Sequence, residues 1–510
     1  MFHEDGWHHE EISSLTRAKS GRGFFYVIGK RKDEVMKRIY KVYKKTVSIV
    51  NETSTAMYEN LVSTESGIPK KGFLLESYDK NYDRYTFMGV EPEEIITSEK
   101  DSLVITYRDG TKKVKKGNPL ELLKEYYSSF EVQKENEELN FSGGLVGNLG
   151  YDFVRYTEDI PDDNPDEIGI ETIQLMLMKE FLIVDQVAET LTAVILETPD
   201  IEGEKRAKKA AEELIEKVMT EHAEKPVELQ QDGVIIHKSD TLEQYSEKVN
   251  KIKDYIREGH IFQTVLSQRW IIETEQEGFS LYRELKELNP SPYLYYFDFG
   301  TFEVIGSSPE MIVKQQGKRV FTCPIAGTRP RGKTAEEDEA LKKELLSDEK
   351  EKAEHVMLVD LARNDMGRIS EFGTVKVTDF MNVQKYSHVM HIVSMVEGRK
   401  KGEFHPLDLI ASFLPAGTLS GAPKIRAMEI IDELESVRRG LYGGATGYID
   451  FSGDMDFCIT IRTMIKKQNK VYLQAGAGIV ADSVPQKEYE ECCNKVMALA
   501  KTLVIVSNDL

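Results

Sequence analysis

Two periods of apolar residues alternate along this chain, and each predicts a different kind of element. Spacings of three and four residues place apolar side chains on one helical face. That pattern marks Lys32 to Asn60, where Val35, Ile39, Val42 and Val47 to Val50 sit among lysines. It returns at Leu120 to Phe130, Glu202 to Glu221, Thr241 to Glu258, Asp348 to Asp365 and Pro485 to Lys501. Alternation, or a short apolar run closed by turn residues, predicts strands instead. Gly72 to Gly89 begins with such a run and enters a turn at Glu76 and Ser77; Glu94 to Ile105, Lys112 to Val114 and the hairpin-like Phe181 to Leu196 follow. The second half adds Ser291 to Gly300, Phe302 to Ile305, Gly444 to Phe451, Phe457 to Ile465 and Val471 to Val480.

Glycine and proline punctuate this pattern. FSGGLVGNLGYD, Phe141 to Asp152, reads as a close-packed strand or bulge and lacks the GxGxxG spacing of a dinucleotide site. HAEKPVELQQDGVIIHKSD, His222 to Asp240, has the composition of a linker. It divides the chain into a loosely ordered segment 1–35, an N-terminal domain 36–222, a linker 223–240 and a second domain 241–510. The length of 510 residues fits about two to four domains or one large two-part fold.

Composition narrows the partners. With 40% hydrophobic and 30% charged residues the chain resembles an ordinary globular protein. A net charge of -20 without a basic block argues against nucleic acid or an anionic membrane surface. Screening confines each surface charge to about 8 Å, so a local Arg/Lys cluster still suits a small acid. No apolar run approaches the ~18 residues of a membrane span. The acidic start MFHEDGWHHEE lacks an apolar core, so no signal peptide is expected and a cytoplasmic location is. Four cysteines without a CxxC pair fit a reducing compartment. His3, His8 and His9 read as part of a polar terminus rather than a metal cluster.

Several stretches carry candidate chemistry. Glu351 and Glu354 stand three apart on one helical face, and Glu488 and Glu491 repeat the arrangement with Lys495 four residues beyond. Each pair alone reads first as a solvated face; two such helices facing each other would form a site for one hard cation. EVIGSSPEM places Glu310 after a turn, as a helix-start residue or as a general acid if burial raises its pKa. CPIAGTRPRG, Cys323 to Gly332, predicts a rigid loop in which Arg329 and Arg331 either bind carboxylates or face solvent. PAGTLSGAPKIR is no Walker A loop, yet its amides with Thr418, Ser420 and Lys424 offer an anion site. VYLQAGAGIVAD brings a strand to Gly476 and Gly478, as a tight strand end or a place where a carboxylate meets backbone N–H groups.

Taken in order, the runs LLES, GGLVGNLGYD, IFQTVLSQR, NPSPYLYY, SSPEM, PIAGTRPRG, AEHVMLVDLARND, YSHVMHIVS, GTLSGAPKIRAME, YGGATGYIDF, IRT, GAGIV and EYEECCNK resemble the chorismate-utilising enzymes, and within them the large component of the anthranilate synthase branch. The resemblance extends from about Lys70 to the C-terminus. It implies an α+β fold: a sheet-on-sheet body with outer helices, an active site deep between the sheets and an N-terminal regulatory part. It further implies Mg²⁺ held by Glu354 and Glu491, with Glu351 and Glu488 acting through water. Substrate-binding positions fall on Tyr442, Arg462, Lys495, the Gly476, Ala477 and Gly478 amides, and Ala326, Gly327 and Thr328; Thr418 belongs to the same pocket.

The implied reaction is attack of ammonia on ring carbon 2 of chorismate with loss of the 4-hydroxyl, then elimination of pyruvate to leave anthranilate, the first committed step of tryptophan biosynthesis. Glu310 matches the acid that protonates the leaving hydroxyl, and His391, with His388 as the alternative, the histidine that turns over the aminated intermediate. Gln263 stands where water-using branches carry a lysine base, and Ala326 where aminodeoxychorismate synthases carry a nucleophilic lysine. Ammonia implies a glutamine amidotransferase partner, since no Cys-His-Glu apparatus is recognisable in this sequence. In tryptophan-sensitive members Glu76, Ser77, Pro292, Tyr293 and Leu294 line an inhibitor pocket. An aminodeoxychorismate synthase or a catalytically silent tryptophan sensor are the other readings.

Overall fold

The computed structural model describes residues 16–20, 23–27, 37–50, 53–63, 70–77, 84–134, 139, 141–220, 233–386 and 389–503. His3, His8, His9, His388 and most of segments 1–35 and 223–240 lie outside the described residues.

Two large sheets dominate the described chain. One has twelve strands, the other thirteen, and both draw on either side of the expected boundary at 223–240. Gly144–Leu149 pairs with Ala445–Asp450 in the first, and Gly72–Glu76 pairs with Tyr293–Asp298 in the second. The stretches 36–222 and 241–510 therefore share both sheets.

Strand alternation explains how the sheets stack. Tyr295 and Phe297 join a core with Val146, Met176, Tyr448 and Cys458 of the other sheet. Their neighbours Leu294 and Tyr296 point the opposite way, into a layer with Leu281, Leu285 and Leu499 from helices. Leu145, Leu149, Leu175 and Leu177 likewise leave the first sheet outward, against Val359 and Met366 of the acidic helix Glu349–Ile369. The result is helices, sheet, sheet, helices, as the fold class anticipated.

Three elements differ from expectation. Lys32 to Asn60, read as a helix, forms a strand Arg38–Ser48 and a short helix Ser54–Val62. Its β-branched Ile39, Val42, Thr46 and Val47 suit a strand, and Thr190–Glu197 supplies the backbone partner. Cys323 to Gly332, read as a loop, contains a strand Ile325–Pro330 paired with Val389–Arg399 and bulged around Gly327, whose φ is +62°. Phe457 to Ile465, read as one strand, is divided between two: Met455–Ile459 in the twelve-stranded sheet and Thr463–Lys467 in the thirteen-stranded sheet. The chain crosses between the sheets through Arg462, with φ +52°.

Candidate active site

Two crossings between the sheets run side by side and carry the charged groups of the site. The chain leaves Glu303–Ser308 in one sheet, passes Pro309 and Glu310, and enters Met311–Gln316 in the other. The second crossing runs through Thr460 to Arg462. Ile459 N donates to Glu310 O at 2.9 Å, Ser308 Oγ to Ile459 O at 2.7 Å and Ser307 N to Arg462 O at 3.1 Å. A carboxyl and a guanidinium thus sit on neighbouring segments of one seam.

Glu310 is buried, and burial pushes its carboxyl up to about 8; a hydrogen bond from Thr418 and one from the Ile325 amide pull the other way. Thr418 Oγ1 donates to Glu310 Oε1 at 3.1 Å. The acid lines a cavity of about 40 Å³ with Leu358, Leu361, Phe413, Thr418 and Asp365. Such a carboxyl keeps its proton at neutral pH and has the form of a general acid.

His391 stands opposite Thr328 in the register of Val389–Arg399 with Ile325–Pro330. Its Nδ1 lies 2.9 Å from Gly327 O and 3.1 Å from Thr328 Oγ1. A carbonyl only accepts, so Nδ1 carries the proton and Nε2 keeps its lone pair. Burial lowers the imidazole pKa, and the Arg462 charge lowers it further against the raising effect of the Gly327 bond.

Arg462 is lowered by burial, which Tyr442 and Glu491 oppose. With Lys487, Glu490, Glu491, Asn494 and Lys495 it lines an open cavity of about 360 Å³. Lys495 Nζ reaches Glu491 Oε1 at 2.7 Å and Gly476 O at 2.8 Å. Glycine matters here because side chains fill the space a Cβ would take: at Gly476 it would meet the Tyr442 hydroxyl at 2.9 Å, and at Gly478 Gln263 Nε2 at 2.7 Å. Tyr442, Arg462, Lys495, Gly476, Ala477, Gly478 and Gln263 are thus brought to neighbouring strands and the C-terminal helix Pro485–Ala500.

The two acidic helices bring their carboxylates near enough to feel one another. Burial raises Glu354, and the Glu351 and Glu491 carboxylates add to it; Glu488 is raised by burial and by Glu491. Among the described residues no three His, Cys, Asp or Glu side chains close around one point. The set nevertheless fits Mg²⁺, a hard cation that takes one or two carboxylates and keeps waters and substrate oxygens for the rest. A cation offsets the repulsion that raises Glu354. Glu351 also approaches Gly327, where a Cβ would stand 3.1 Å from its Oε2, and Arg329 Nη1 lies 3.5 Å from its Oε1.

A second cavity, of about 40 Å³, collects all five expected inhibitor positions, Glu76, Ser77, Pro292, Tyr293 and Leu294, together with Tyr85, Phe87, Tyr295, Tyr448, Asp456 and Cys458. The Glu76 carboxylate is engaged elsewhere: Ser54 Oγ donates at 2.6 Å, Lys286 Nζ at 2.9 Å, and the Tyr282 hydroxyl bonds its other oxygen. Residue 76 therefore meets the cavity through its backbone, in keeping with strand alternation.

Sequence reasoning missed three groups. Asp456, buried on this cavity, accepts from Tyr293 at 2.8 Å and pairs with Lys314 at 2.6 Å. An acid inside an apolar strand was the available signal. Asp365 shares the Glu310 cavity and pairs with Lys424 at 2.7 Å. Glu435, which caps the helix Lys424–Leu434, and Arg439 just beyond it are buried and gave no signal.

Comparison with known proteins identifies the family and the fold. Residues 71–501 match the chorismate binding enzyme family. Anthranilate synthase component 1 of Acetivibrio thermocellus is 47% identical over 442 residues, 84% of this chain and 90% of that one. The Aquifex aeolicus protein of the same name is 42% identical over 473 residues, 91% of this chain and 95% of that one. Among solved structures, anthranilate synthase component I from Streptococcus pneumoniae superposes with a TM-score of 0.73 at 39% identity, covering 82% of this chain and 92% of that one. The menaquinone-specific isochorismate synthase MenF from Escherichia coli shares the fold, with a TM-score of 0.68 at 17% identity over 93% of this chain and 96% of its own.

Proposed function

The chain belongs to the chorismate-binding enzymes, and on that premise we propose that it aminates chorismate with ammonia and eliminates pyruvate to form anthranilate in tryptophan biosynthesis. The observation that carries this reading is Glu310, neutral at physiological pH and oriented by Thr418.

Chorismate is a dianion, and Arg462, Lys495 and the Gly476 to Gly478 backbone supply donors for carboxylate oxygens. Glu354 and Glu491 would hold Mg²⁺, with Glu351 and Glu488 through water; the ion would supply charge neutralisation at a substrate carboxylate. Glu310 gives its proton to the departing 4-hydroxyl as the nitrogen–carbon bond forms at carbon 2. His391, neutral with Nε2 free of the Gly327 bond, accepts a proton during loss of pyruvate. Gln263 cannot accept a proton, which disfavours water as nucleophile, and Ala326 has no amine to attack the ring. These two positions leave ammonia. Free ammonia is scarce near neutral pH, so a glutamine amidotransferase subunit is the expected supplier. The cavity of Ser77, Pro292, Tyr293, Leu294 and Asp456 is the expected tryptophan site, since a buried carboxylate among aromatic walls suits an amino acid's ammonium and indole. No helix among the described residues is long and apolar enough to cross a membrane.

The test incubates the purified chain with chorismate, Mg²⁺ and ammonium at alkaline pH and follows anthranilate fluorescence and pyruvate. Both products are expected. Aminodeoxychorismate without pyruvate would replace this reading with aminodeoxychorismate synthase, and no conversion with retained tryptophan binding would replace it with a silent sensor.

A further inference from the structure

The second cavity and the active site share one tyrosine-to-threonine contact. Tyr295, Gly306 and Thr463 lie abreast on three neighbouring strands: Tyr295 pairs with Gly306 and Gly306 with Thr463. The Tyr295 ring crosses Gly306 so closely that a Cβ there would stand 2.1 Å from its Cε2 and Cζ. Only glycine lets the ring pass, and its hydroxyl lands 2.6 Å from Thr463 Oγ1. Thr463 Oγ1 in turn donates to Ile461 O at 2.8 Å. Its single proton is used there, so Tyr295 donates to Thr463. The Thr463 side chain therefore bridges backward over Arg462, the residue at φ +52° whose guanidinium serves the site.

Tyr295 also walls the cavity of about 40 Å³. An apolar cavity that admits benzene measures about 150 Å³, so an indole enters only if walls move. Leu294 beside it is packed into the helical layer on the opposite face, whereas Tyr295 faces the space between the sheets.

We propose that the Tyr295–Thr463 hydroxyl pair couples the cavity to Arg462: an occupant that shifts the Tyr295 ring takes its hydroxyl from Thr463 and loosens the Thr463 contact that spans the Arg462 crossing. Arg462 then leaves the position in which it meets the substrate carboxylate. Occupancy is read as weaker chorismate binding, with little change in turnover at saturation. This inference rests on the tryptophan-site reading above. By linkage, chorismate opposes tryptophan binding by the same factor.

The experiment uses the full chain with ammonium as nitrogen donor. Tyr295→Phe keeps the ring and removes only the hydroxyl; Thr463→Val removes the acceptor, and Thr463→Ser retains it. For each, chorismate KM and kcat are measured with and without saturating tryptophan, and tryptophan binding is measured by calorimetry. Expected for Tyr295→Phe and Thr463→Val are a several-fold rise in KM with kcat within about two-fold, and a ratio of KM values with and without tryptophan that falls towards one while tryptophan still binds. Thr463→Ser should behave as the unaltered chain. Unchanged KM and an unchanged ratio in Tyr295→Phe, in a chain that tryptophan does inhibit, would overturn the coupling alone. Tryptophan that neither binds nor inhibits the unaltered chain would overturn the tryptophan-site reading and the coupling with it.

Discussion

Thr418 Oγ1 donates to Glu310 Oε1 at 3.1 Å inside a cavity whose walls include Leu358, Leu361, Phe413 and Asp365. One hydroxyl thus orients a carboxyl that its surroundings keep protonated, and the proposed acid role of Glu310 ties the pH behaviour of the reaction to that pair.

Glu310→Gln removes the proton donor while keeping shape and the Thr418 contact. kcat should fall about 100- to 10,000-fold with chorismate KM little changed. In the unaltered chain the active form is the protonated one, present below the value of about 8 and lost as pH rises through it. Free ammonia grows over the same range, so the ammonia-dependent rate should pass through a maximum; a rate that climbs steadily to high pH would remove Glu310 from the acid role.

His391 titrates below its ordinary value because it is buried near Arg462. The neutral imidazole is therefore the form present at neutral pH, and no loss of rate should appear near pH 6.5. His391→Ala should accumulate an aminated ring product with pyruvate release reduced about 100-fold or more, seen by chromatography of quenched reactions. Equal losses of both steps would assign His391 to binding instead.

Glu354→Gln removes a carboxylate raised by burial and by Glu351 and Glu491. The metal-free variant should unfold at the same temperature as the unaltered chain or slightly above it. The rise in unfolding temperature expected of the unaltered chain with Mg²⁺ should be absent from the variant, along with anthranilate formation. Unchanged turnover would dismiss the metal assignment.

Glu435 accepts two bonds from Arg439, at 2.7 and 2.9 Å, and two more from Ser267 N and Oγ, at 2.9 and 2.8 Å. All of these groups are buried. Glu435→Leu takes the carboxylate from a buried guanidinium that keeps the Leu419 and Val265 carbonyls and should cost about 3–5 kcal/mol, measured by denaturant midpoint. A shift no larger than that of a surface control would show that Arg439 finds another partner.

Local spacing made much of the site legible. Glu351 with Glu354, and Glu488 with Glu491, fall on one helical face by arithmetic alone, and the runs around Glu310, Thr418 and Gly476 to Gly478 carried the family likeness. What stayed hidden depends on distant partners. Arg38–Ser48 is a strand because Thr190–Glu197 lies beside it, and no window of a few dozen residues contains both. The crossing at Arg462 was invisible because an apolar stretch interrupted by Thr460 and Arg462 scans as one strand; its positive φ is maintained by Ser307 and Thr463. Glu435 and Arg439 sit four apart, the spacing of an exposed helical pair, and only tertiary packing takes them out of water.

The pairing of Gly144–Leu149 with Ala445–Asp450 sets a timetable for synthesis. At about 5–20 residues per second a ribosome needs tens of seconds to deliver the later strand after the earlier one. Until then the twelve-stranded sheet lacks its middle, and hydrophobic strands from the first half wait with open edges. A truncated product ending before residue 445 would hold those edges permanently and should gather into aggregates rather than into a smaller soluble unit.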